Sequence, residues 1–343
     1  MASAIPNDID VDEVFFDSSC ININPSDITK KIAIQNKDQL SILNINIRSL
    51  AKNFTMLLTL LKMSKINYSI IIITETWLKD SDDGLFNIPG YNHISLCRKG
   101  SDLGGGLRLY YRQSIKLIAL DNKLTGIHDS HECLSCDFNM NNKYNLKIIG
   151  LYRPPKNNIN SFIQHIKNNG LAQNSADPNF IKVIAGDMNI PYCPNNFTSP
   201  RSHKEYSELF VSKAFRFHIT KPTRIGTRGN RDSIIDHIWS NCFSNSTSFT
   251  INYKMSDHLP TAVILDYKVY TEPQTSTFYD FSMKNMINFI GQKHVAFKPL
   301  LEYDIKSMNV STNHIFNGLM NMAKKYFPIR KKNQQPRVLR HLG

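Results

Sequence analysis

The sequence has no long apolar run, no leader segment and no cysteine framework. The strongest apolar run, the isoleucines at 70–73, falls far short of the roughly 20 residues that a membrane-spanning helix needs. The N-terminus lacks the basic segment and apolar stretch of a secretory signal. Six cysteines are scattered along the chain, and the one close pair, Cys133 and Cys136, would point to opposite faces of a strand. We therefore expect an intracellular protein with reduced thiols and no membrane association.

Acidic residues are also scarce. Lysine and arginine number 41 and aspartate and glutamate 28, which gives a formal charge of +13 and a pI of about 9.4. Such a surplus favours a polyanionic partner such as nucleic acid. The charge is uneven, because the first 30 residues carry six acids and one base, whereas residues 324–343 carry seven bases and no acid. Both ends therefore resemble solvated tails, and the basic tail is a candidate contact with nucleic acid.

What the sequence does have is a set of polar residues at the ends of apolar strands. Residues 181–190, IKVIAGDMNI, combine a short buried strand with Gly186 and then Asp187 and Asn189. In an extended chain the last two side chains share one face. A carboxylate can take a proton from water or bind a cation, and a carboxamide can hydrogen-bond a phosphoryl oxygen without adding negative charge. Judged alone, a simple Asp-Met-Asn turn is the more economical interpretation.

The same pattern recurs along the chain. Residues 40–47 alternate like a strand, a helix with one apolar face follows at 50–61, and residues 68–74 form a second strand that ends at Glu75. This βαβ order predicts that Asn44, which shares a strand face with Asn46, emerges at the same sheet edge as Glu75. Asp236 lies in the middle of a predicted strand, residues 233–240. The strand-end residues are, in chain order, Asn44, Glu75, Tyr152, Asp187, Asn189, Asp257 and His258.

Together these residues suit the hydrolysis of a phosphodiester. Glu75 and Asp257 offer hard oxygen ligands for a divalent cation. Asp187 is placed to activate water, and Asp236 can hold His258 in one tautomer. Donors for the phosphoryl oxygens come from Asn44, Tyr152, Asn189 and His258.

A basic loop precedes the strand that contains Asp236. Residues 221–231, KPTRIGTRGNR, supply four of its basic residues and Arg201 lies nearby. A loop of this charge is a candidate contact with the phosphate backbone of DNA. We assign Arg224 and Arg228 to substrate binding.

Six short motifs carry a resemblance to a known family. They are LNIN at 43–46, TETWL at 74–78, LYRPP at 151–155, GDMN at 186–189, SIIDHIWSN at 233–241 and SDHLP at 256–260. In this order and spacing they resemble the endonuclease/exonuclease/phosphatase superfamily, and most closely the apurinic-like endonuclease domain of non-LTR retrotransposons. The resemblance implies a four-layer α/β sandwich, in which two packed mixed β-sheets are flanked by helices. It also implies Mg²⁺-dependent nicking of DNA in the nucleus, leaving a 3′-hydroxyl that primes reverse transcription.

Carried over by position, the resemblance adds roles for several residues. It makes Glu75 the main metal ligand, paired with Asn44. It adds Ser233 as a phosphate-contacting residue. It leaves open whether Asp187 or His258 is the general base. The remaining matches are the phosphate-binding and water-activating group of Tyr152, Asp187 and Asn189, the histidine-orienting Asp236, and the closing pair of Asp257 and His258.

The domain organisation follows from the same comparison. We expect residues 1–38 to form a disordered acidic tail, residues 39–268 the endonuclease/exonuclease/phosphatase domain, and residues 269–343 a helical linker with a basic tail. Domains of this kind are followed by a reverse transcriptase, which residues 269–343 do not contain. We therefore expect a truncated copy of an element that cuts DNA, copies no template and has no stable protein partner.

Three functions remain open on sequence alone. A DNA endonuclease agrees with the basic loop and the high pI. A phosphoinositide or sphingolipid phosphodiesterase would use the same catalytic set but should show an apolar, membrane-facing loop, which the sequence lacks. A catalytically inactive DNA-binding remnant would be expected to have lost site residues, and every position is filled. We therefore favour the endonuclease.

Overall fold

The computed structural model describes residues 19–32, 39–98, 104–140, 144–171, 180–192, 200–226, 231–242, 245–266, 276–279 and 329–332. The chain divides into two compact units, Met1–Val269 and Tyr270–Gly343. Every residue with a predicted catalytic role belongs to the first unit.

The first unit alternates strands with a few helices. Its strands are, in chain order, β1 (Ile21–Ile23), β2 (Gln39–Asn46), β3 (Ile70–Thr74), β4 (Tyr91–Leu96), β5 (Leu107–Arg112), β6 (Lys116–Leu120), β7 (Gly126–Ile127), β8 (Glu132–Met140), β9 (Tyr144–Tyr152), β10 (Phe180–Asp187), β11 (Arg216–Phe217), β12 (Asp236–Ser240), β13 (Ser246–Ile251) and β14 (Thr261–Asp266). Its helices are α1 (Ile28–Lys31), α2 (Leu50–Ser64), α3 (Ile159–His165) and α4 (Arg201–Ser212), with 3₁₀ turns at Pro25–Asp27 and Asp80–Asp82 and a π-helical turn at Ile166–Gly170.

These strands form two mixed sheets of seven strands each. The first has the order β1-β13-β14-β2-β3-β5-β4, and the second has the order β11-β12-β10-β9-β8-β6 with β7 paired to β8. Parallel pairs such as β2 with β3 require crossover helices, and α2 provides that crossover. Ser49 caps α2 by accepting a hydrogen bond from the backbone N–H of Lys52, and Lys65 ends the helix in the left-handed conformation.

Two apolar cores make the first unit a four-layer sandwich. The larger core fills the space between the sheets, where Ile42 and Ile72 of the first sheet lie opposite Ile148 and Val183 of the second. It continues on the other face of the second sheet, where Ile149 and Ile184 join side chains of α3 and α4. The other core packs α2 against the opposite face of the first sheet. The layers are therefore helix, sheet, sheet and helix, which confirms the predicted fold class.

The register of the strands gathers their polar ends at one edge. Within the first sheet Asn46 pairs with Thr74, the residue before Glu75. Within the second sheet Asp187 pairs with Tyr152 on the parallel strand β9 and with Asp236 on the antiparallel strand β12. Because β12 runs antiparallel to β10, its first residue lies beside the last residue of β10. The prediction that Asp236 lies in the middle of a strand was wrong, since β12 begins at that residue.

Part of the predicted N-terminal tail belongs to the folded unit. Residues 21–23 form β1, which pairs in parallel with β13 at the edge of the first sheet. Ile23, Ile28 and Ile32 are buried in the core beneath α2. The expectation of a disordered tail was therefore wrong for residues 19–32, because burial of these three apolar side chains stabilises the segment despite its acidic residues. Residues 1–18 and 33–38 lie outside the described residues.

Little of the second unit is described. Strands β15 (Ser276–Tyr279) and β16 (Ile329–Lys332) pair antiparallel to each other. The helical linker predicted for this region, and the basic tail beyond Lys332, lie outside the described residues. In the part of the chain that the structure describes, no helix combines the length and the apolar character needed to cross a bilayer.

Candidate active site

Asp187, the last residue of β10, lies at the centre of the site. Three N–H groups hold its buried carboxylate: Nδ2 of Asn46 donates to Oδ2 at 2.9 Å, Nδ2 of Asn189 donates to Oδ2 at 3.1 Å, and the backbone N–H of Asn189 donates to Oδ1 at 3.0 Å. Burial and the neighbouring Asp236 raise the pKa of Asp187. A carboxylate with a raised proton affinity and a fixed orientation is suited to take a proton from water.

Arg153 fixes the loop that follows β10. This buried guanidinium donates to the carbonyl oxygen of Met188 at 2.7 Å through Nε and to that of Asn189 at 2.6 Å through Nη2. In return, Nδ2 of Asn189 donates to the carbonyl of Arg153 at 2.9 Å. These bonds hold Asn189 at a φ of +48°, which turns its amide towards Asp187. The sequence analysis gave Arg153 no role, although its position in the LYRPP motif was a usable signal.

The structure places Asn46, rather than Asn44, in contact with the other site residues. Nδ2 of Asn46 donates to Asp187 and also lies 3.3 Å from Oε1 of Glu75. Asn44 is completely buried one pleat further back along β2, where its Nδ2 donates to Oγ1 of Thr261 at 3.3 Å. Placing Asn44 at the strand end was therefore an error of register. The alternation of a strand places the side chains of Asn44 and Asn46 on one face. Because β2 ends at Asn46, Asn46 and not Asn44 is the residue at the strand end.

Glu75 follows β3 and faces the same space. Its φ is +54°, an uncommon conformation for a residue other than glycine. Besides Asn46, the indole N–H of Trp77 donates a hydrogen bond of 3.1 Å to the Glu75 carboxylate. Burial and Glu75 raise the pKa of Tyr152, so its hydroxyl stays protonated and remains a donor. Trp77 was not predicted as a site residue; its side chain is 42% exposed.

Asp236 and His258 form a buried pair beside Asp187. Oδ2 of Asp236 lies 2.8 Å from Nδ1 of His258, which leaves Nε2 of the imidazole for a substrate. Burial alone would lower the pKa of His258, but Asp236, with contributions from Asp187 and Asp257, raises it to about 9. The imidazole is therefore a cation at neutral pH. The predicted role of Asp236, to orient the histidine, agrees with this geometry.

Asp257 lies at the rim and is held by two arginines. Its Oδ1 accepts from Nη1 of Arg48 at 2.8 Å, and its Oδ2 accepts from Nε of Arg224 at 3.1 Å. Burial opposes its ionisation, but His258 and the two arginines lower the pKa of Asp257 overall. Each carboxylate oxygen accepts one of these bonds and keeps a second lone pair, so the metal-ligand role of Asp257 stays a prediction.

The remaining predicted substrate contacts lie next to this rim. Arg224 and Ser233 are joined by backbone hydrogen bonds, and Arg224 forms a second bridge to His258. These bridges place Ser233 beside the strand that leads to Asp236. Arg228 lies outside the described residues. Arg48, which the sequence analysis did not single out, joins Arg224 as a cation at the mouth of the site.

The donor set suits a hard divalent cation. Oδ1 of Asn46 and Oδ1 of Asp236 are buried, and neither has a hydrogen-bond partner among the described residues. One potential ligand atom from each of Asp187, Asp236 and His258 lies within 4.8 Å of those of the other two. Carboxylate and amide oxygens are the ligands that Mg²⁺ and Ca²⁺ use. With Glu75 beside Asn46, the residues present fit such an ion.

The fold and the site together define a class. Two packed mixed sheets that present carboxylates, amides and a carboxylate-bound histidine at one edge are the arrangement of an α/β-sandwich phosphodiester hydrolase. The chain belongs to the Endonuclease/Exonuclease/phosphatase family, whose sequence model matches residues 43–258. Members of this family hydrolyse phosphodiester bonds and generally depend on a divalent metal.

Solved structures share the same fold. The AP endonuclease LMAP from Leishmania major is 14% identical, with a TM-score of 0.54 over 68% of this chain and 90% of that one. TDP2 from D. rerio, complexed with a single-strand DNA product, is 14% identical, with a TM-score of 0.50 over 67% and 100%. The endonuclease domain of TRAS1, a telomere-specific non-LTR retrotransposon, is 14% identical, with a TM-score of 0.49 over 66% and 98%. No curated protein sequence matches the chain.

Proposed function

We propose that the chain is a divalent-metal-dependent DNA endonuclease that hydrolyses a phosphodiester and leaves a 3′-hydroxyl. The observation that carries the proposal is the buried carboxylate of Asp187, held by Asn46 and Asn189 within reach of the Asp236–His258 pair. A water-activating base and a cationic donor beside one space suit attack on a phosphate.

The charge states favour Asp187 as the general base. Its pKa is raised by burial and by Asp236, so it can take a proton from the attacking water. His258, with a pKa raised to about 9, carries its proton at neutral pH and is a poor base there. The imidazolium instead donates to a phosphoryl oxygen and offsets the charge that accumulates in the transition state. We therefore propose Asp187 as the base, a choice that the sequence left open between Asp187 and His258.

The chain's other residues orient the substrate. The water oxygen forms the new bond to phosphorus as its proton passes to Asp187, and the bond from phosphorus to the 3′ oxygen breaks. The released oxygen takes a proton from solvent and becomes the 3′-hydroxyl. Tyr152 and Asn189 supply neutral donors near the phosphoryl group. Glu75 and Oδ1 of Asn46 would hold the cation, Mg²⁺ or Mn²⁺. When bound, it neutralises negative charge on the phosphoryl and leaving oxygens.

Three features support DNA as the substrate. The chain has a formal charge of +13, and Arg48 and Arg224 are about half exposed at the mouth of the site, with side-chain exposures of 54% and 48%. The exposed indole of Trp77 is bonded to Glu75 and can stack on a base. TDP2 from D. rerio, which shares the fold, was solved with a DNA product.

A role in target-primed retrotransposition follows from the sequence motifs. Four segments, TETWL at 74–78, GGGLRLYYR at 104–112, LYRPP at 151–155 and PTR at 222–224, resemble the retrotransposon branch of the superfamily, where the 3′-hydroxyl at a nick primes reverse transcription. We place the chain in that branch and in the nucleus, where its target DNA would be.

The proposal is tested by nicking of supercoiled plasmid. Protein with Mg²⁺ should convert it to the relaxed form, EDTA should abolish the reaction, and Asp187→Asn should slow it by about 10²- to 10⁴-fold. The matched control is Asp266→Asn. Asp266 is the last residue of β14 and His258 precedes the first, so this substitution should leave the rate unchanged. A DNA polymerase should extend the nicks directly, because they carry a 3′-hydroxyl.

Two results would overturn the proposal. Nicking that survives both EDTA and Asp187→Asn would exclude this site. Hydrolysis of phosphoinositide or sphingomyelin vesicles without cleavage of DNA would make the chain a lipid phosphodiesterase of the same family.

A further inference from the structure

Three histidines meet in one cluster on the second sheet, outside the candidate active site. The ring centroids of His128 and His131 are 4.8 Å apart, those of His128 and His165 are 4.2 Å apart, and those of His131 and His165 are 4.6 Å apart. One ring nitrogen of each lies within 4.8 Å of those of the other two. The motifs used for catalysis do not include these residues.

Two separate elements bring the histidines together. His128 and His131 flank the turn between β7 and β8, where the backbone N–H of His128 donates to the carbonyl of His131 at 2.8 Å. His165 is the last residue of α3. Nδ2 of Asn157 donates to the carbonyl of Asp129 at 3.0 Å, which ties the turn to the segment before α3. The cluster therefore joins a hairpin to a helix that packs on the same sheet.

The ring nitrogens are arranged as in a metal site. Nε2 of His128 lies 3.0 Å from the carbonyl oxygen of Leu124, so it donates there and leaves Nδ1 as a lone-pair donor. Nδ1 of His131 bonds the hydroxyl of Ser130 at 2.9 Å. Metal-binding histidines commonly use their second nitrogen for such bonds, which fix the tautomer and the ring orientation.

Two of the remaining nitrogens are buried and without a partner. Nε2 of His131, on a residue that is 1% exposed, and Nε2 of His165 are buried, and none of the described residues hydrogen-bonds either atom. A buried nitrogen without a hydrogen-bond partner is unfavourable, so two in one cluster call for a ligand. A metal ion that accepts a lone pair from each nitrogen would satisfy both.

The surroundings favour neutral imidazoles, the form that binds metal. Burial, together with His165 and His128, lowers the pKa of His131 to about 3. The ring of Phe162 packs edge-on against His131 at 5.0 Å and shields its inner side. His128 and His165 are half-buried, so an ion can reach the cluster from solvent.

We propose that His128, His131 and His165 bind one transition-metal ion of the zinc class. Zinc–nitrogen bonds of about 2.0–2.1 Å in a tetrahedral site separate the nitrogens by about 3.4 Å, so the rings need to approach by no more than about 1.4 Å. Three imidazoles leave the fourth position to water. Imidazole ligands without carboxylates favour zinc, copper or nickel over magnesium.

The ion would brace the hairpin against α3. Glu132, the residue after His131, begins β8 and pairs with Tyr152 of the candidate active site. Its carboxylate also accepts from the backbone N–H of Gly106 at 2.6 Å, next to the segment that carries Glu75. A metal at the histidine cluster therefore stabilises the strand end that supports one wall of the active site.

The test uses the full chain with Glu75→Gln and Asp187→Asn as background, which removes zinc binding at the candidate active site. Calorimetric titration with ZnCl₂ should show one equivalent bound, and Co²⁺ should give the visible absorption of a tetrahedral site. His165→Gln should weaken zinc binding by at least about 100-fold, because it removes a direct ligand. His93→Gln, in β4 of the other sheet, is the matched control and should bind zinc like the background.

Thermal unfolding gives a second measurement. Zinc should raise the midpoint for the background protein and for His93→Gln but not for His165→Gln, with far-UV circular dichroism used to check folding. If His165→Gln fails to fold, the half-buried His128→Gln replaces it. A background protein that binds no zinc, or a cluster variant that binds it as tightly as the background, would overturn the proposal.

Discussion

Asp187 and Asp236 are direct register partners across the antiparallel strands β10 and β12, so two buried carboxylates face each other at one edge of the second sheet. Such a pair is unfavourable unless protons or cations compensate the charge. His258 provides that compensation from β14's side of the site, since its Nδ1 lies 2.8 Å from Asp236. The arrangement raises the proton affinity of both Asp187 and His258 and thereby separates a base from an acid.

The protonation of His258 should set the alkaline limit of activity. Its pKa is raised above 6.5 to about 9, so the active cation is present below that pH and is lost as the pH rises through about 9. Asp236→Asn removes the main cause of the shift, and the alkaline limb of kcat/KM should move from about 9 towards 6.5. His258→Ala should lower the rate by about 10²- to 10⁴-fold. Rates of both variants, measured between pH 6 and 10 at constant ionic strength, test these predictions. An alkaline limb that stays at about pH 9 in Asp236→Asn would show that Asp236 does not raise the pKa of His258.

The same linkage affects stability. A histidine whose folded pKa exceeds its unfolded pKa contributes stability that is complete below 6.5 and declines as the pH rises through about 9. Asp236→Asn should therefore flatten the pH dependence of unfolding over that interval, measured by urea denaturation.

Asn46 and Asn44 should respond differently to alanine. Asn46→Ala removes a donor to Asp187 and a neighbour of Glu75, so kcat should fall by about 10²-fold or more. Asn44→Ala breaks the buried contact with Thr261 and should cost about 1–3 kcal/mol of stability while the folded fraction keeps its activity. Rates and denaturation midpoints of both variants decide the matter. A larger loss of kcat in Asn44→Ala would reverse the assignment.

Arg224 should contribute to DNA affinity rather than to chemistry. Its side chain is 48% exposed and is held at the rim by Asp257. Arg224→Gln should weaken binding and reduce the slope of log K against log salt by roughly 0.9, the value for one lost phosphate contact. Fluorescence anisotropy with a labelled duplex, in an Asp187→Asn background, measures this. The control is Lys62→Gln, on α2, which packs on the face of the first sheet away from the second sheet. Equal salt slopes for the two variants would argue against a contact between Arg224 and a DNA phosphate.

Gly186 should tolerate no side chain. Its φ is +152°, and a Cβ at this position would collide with the backbone carbonyl of Leu151 on the paired strand β9. Gly186→Ala should therefore cost about 3 kcal/mol or more, by strain and by separation of β9 from β10. Gly84→Ala, where a Cβ meets nothing within 4 Å, should change stability by less than about 0.5 kcal/mol. Similar urea midpoints for Gly186→Ala and Gly84→Ala would show that β9 and β10 can accommodate a Cβ at position 186 without loss of stability.

Much of the architecture could be predicted because it depends on local patterns. Apolar periodicity located α2 and the buried strands, and the succession of strand, helix and strand implied parallel pairing. The strand-end residues were recognisable because a carboxylate or amide after an apolar run is informative wherever it occurs. The six motifs then identified the superfamily, as the family match over residues 43–258 confirms.

Errors arose where a conclusion needed partners that are distant in the chain. An alternating strand puts Asn44 and Asn46 on one face, and only the pairing of Asn46 with Thr74 shows which amide reaches the edge. The direction of β12 decides that Asp236 begins a strand, and pairing with β13 draws residues 21–23 out of a predicted tail.

The sequence by itself determined which chemical groups this protein possesses and which short segments carry them, because hydrophobic period and residue type are local properties. Tertiary structure alone decided which groups meet. A contact between residues 141 positions apart sets the orientation of Asp187, and a contact across 22 positions sets the charge on His258. Helix packing brings His165 to a turn that lies 34 residues before it. Distances between such segments depend on the packing of the whole domain, which no local pattern contains.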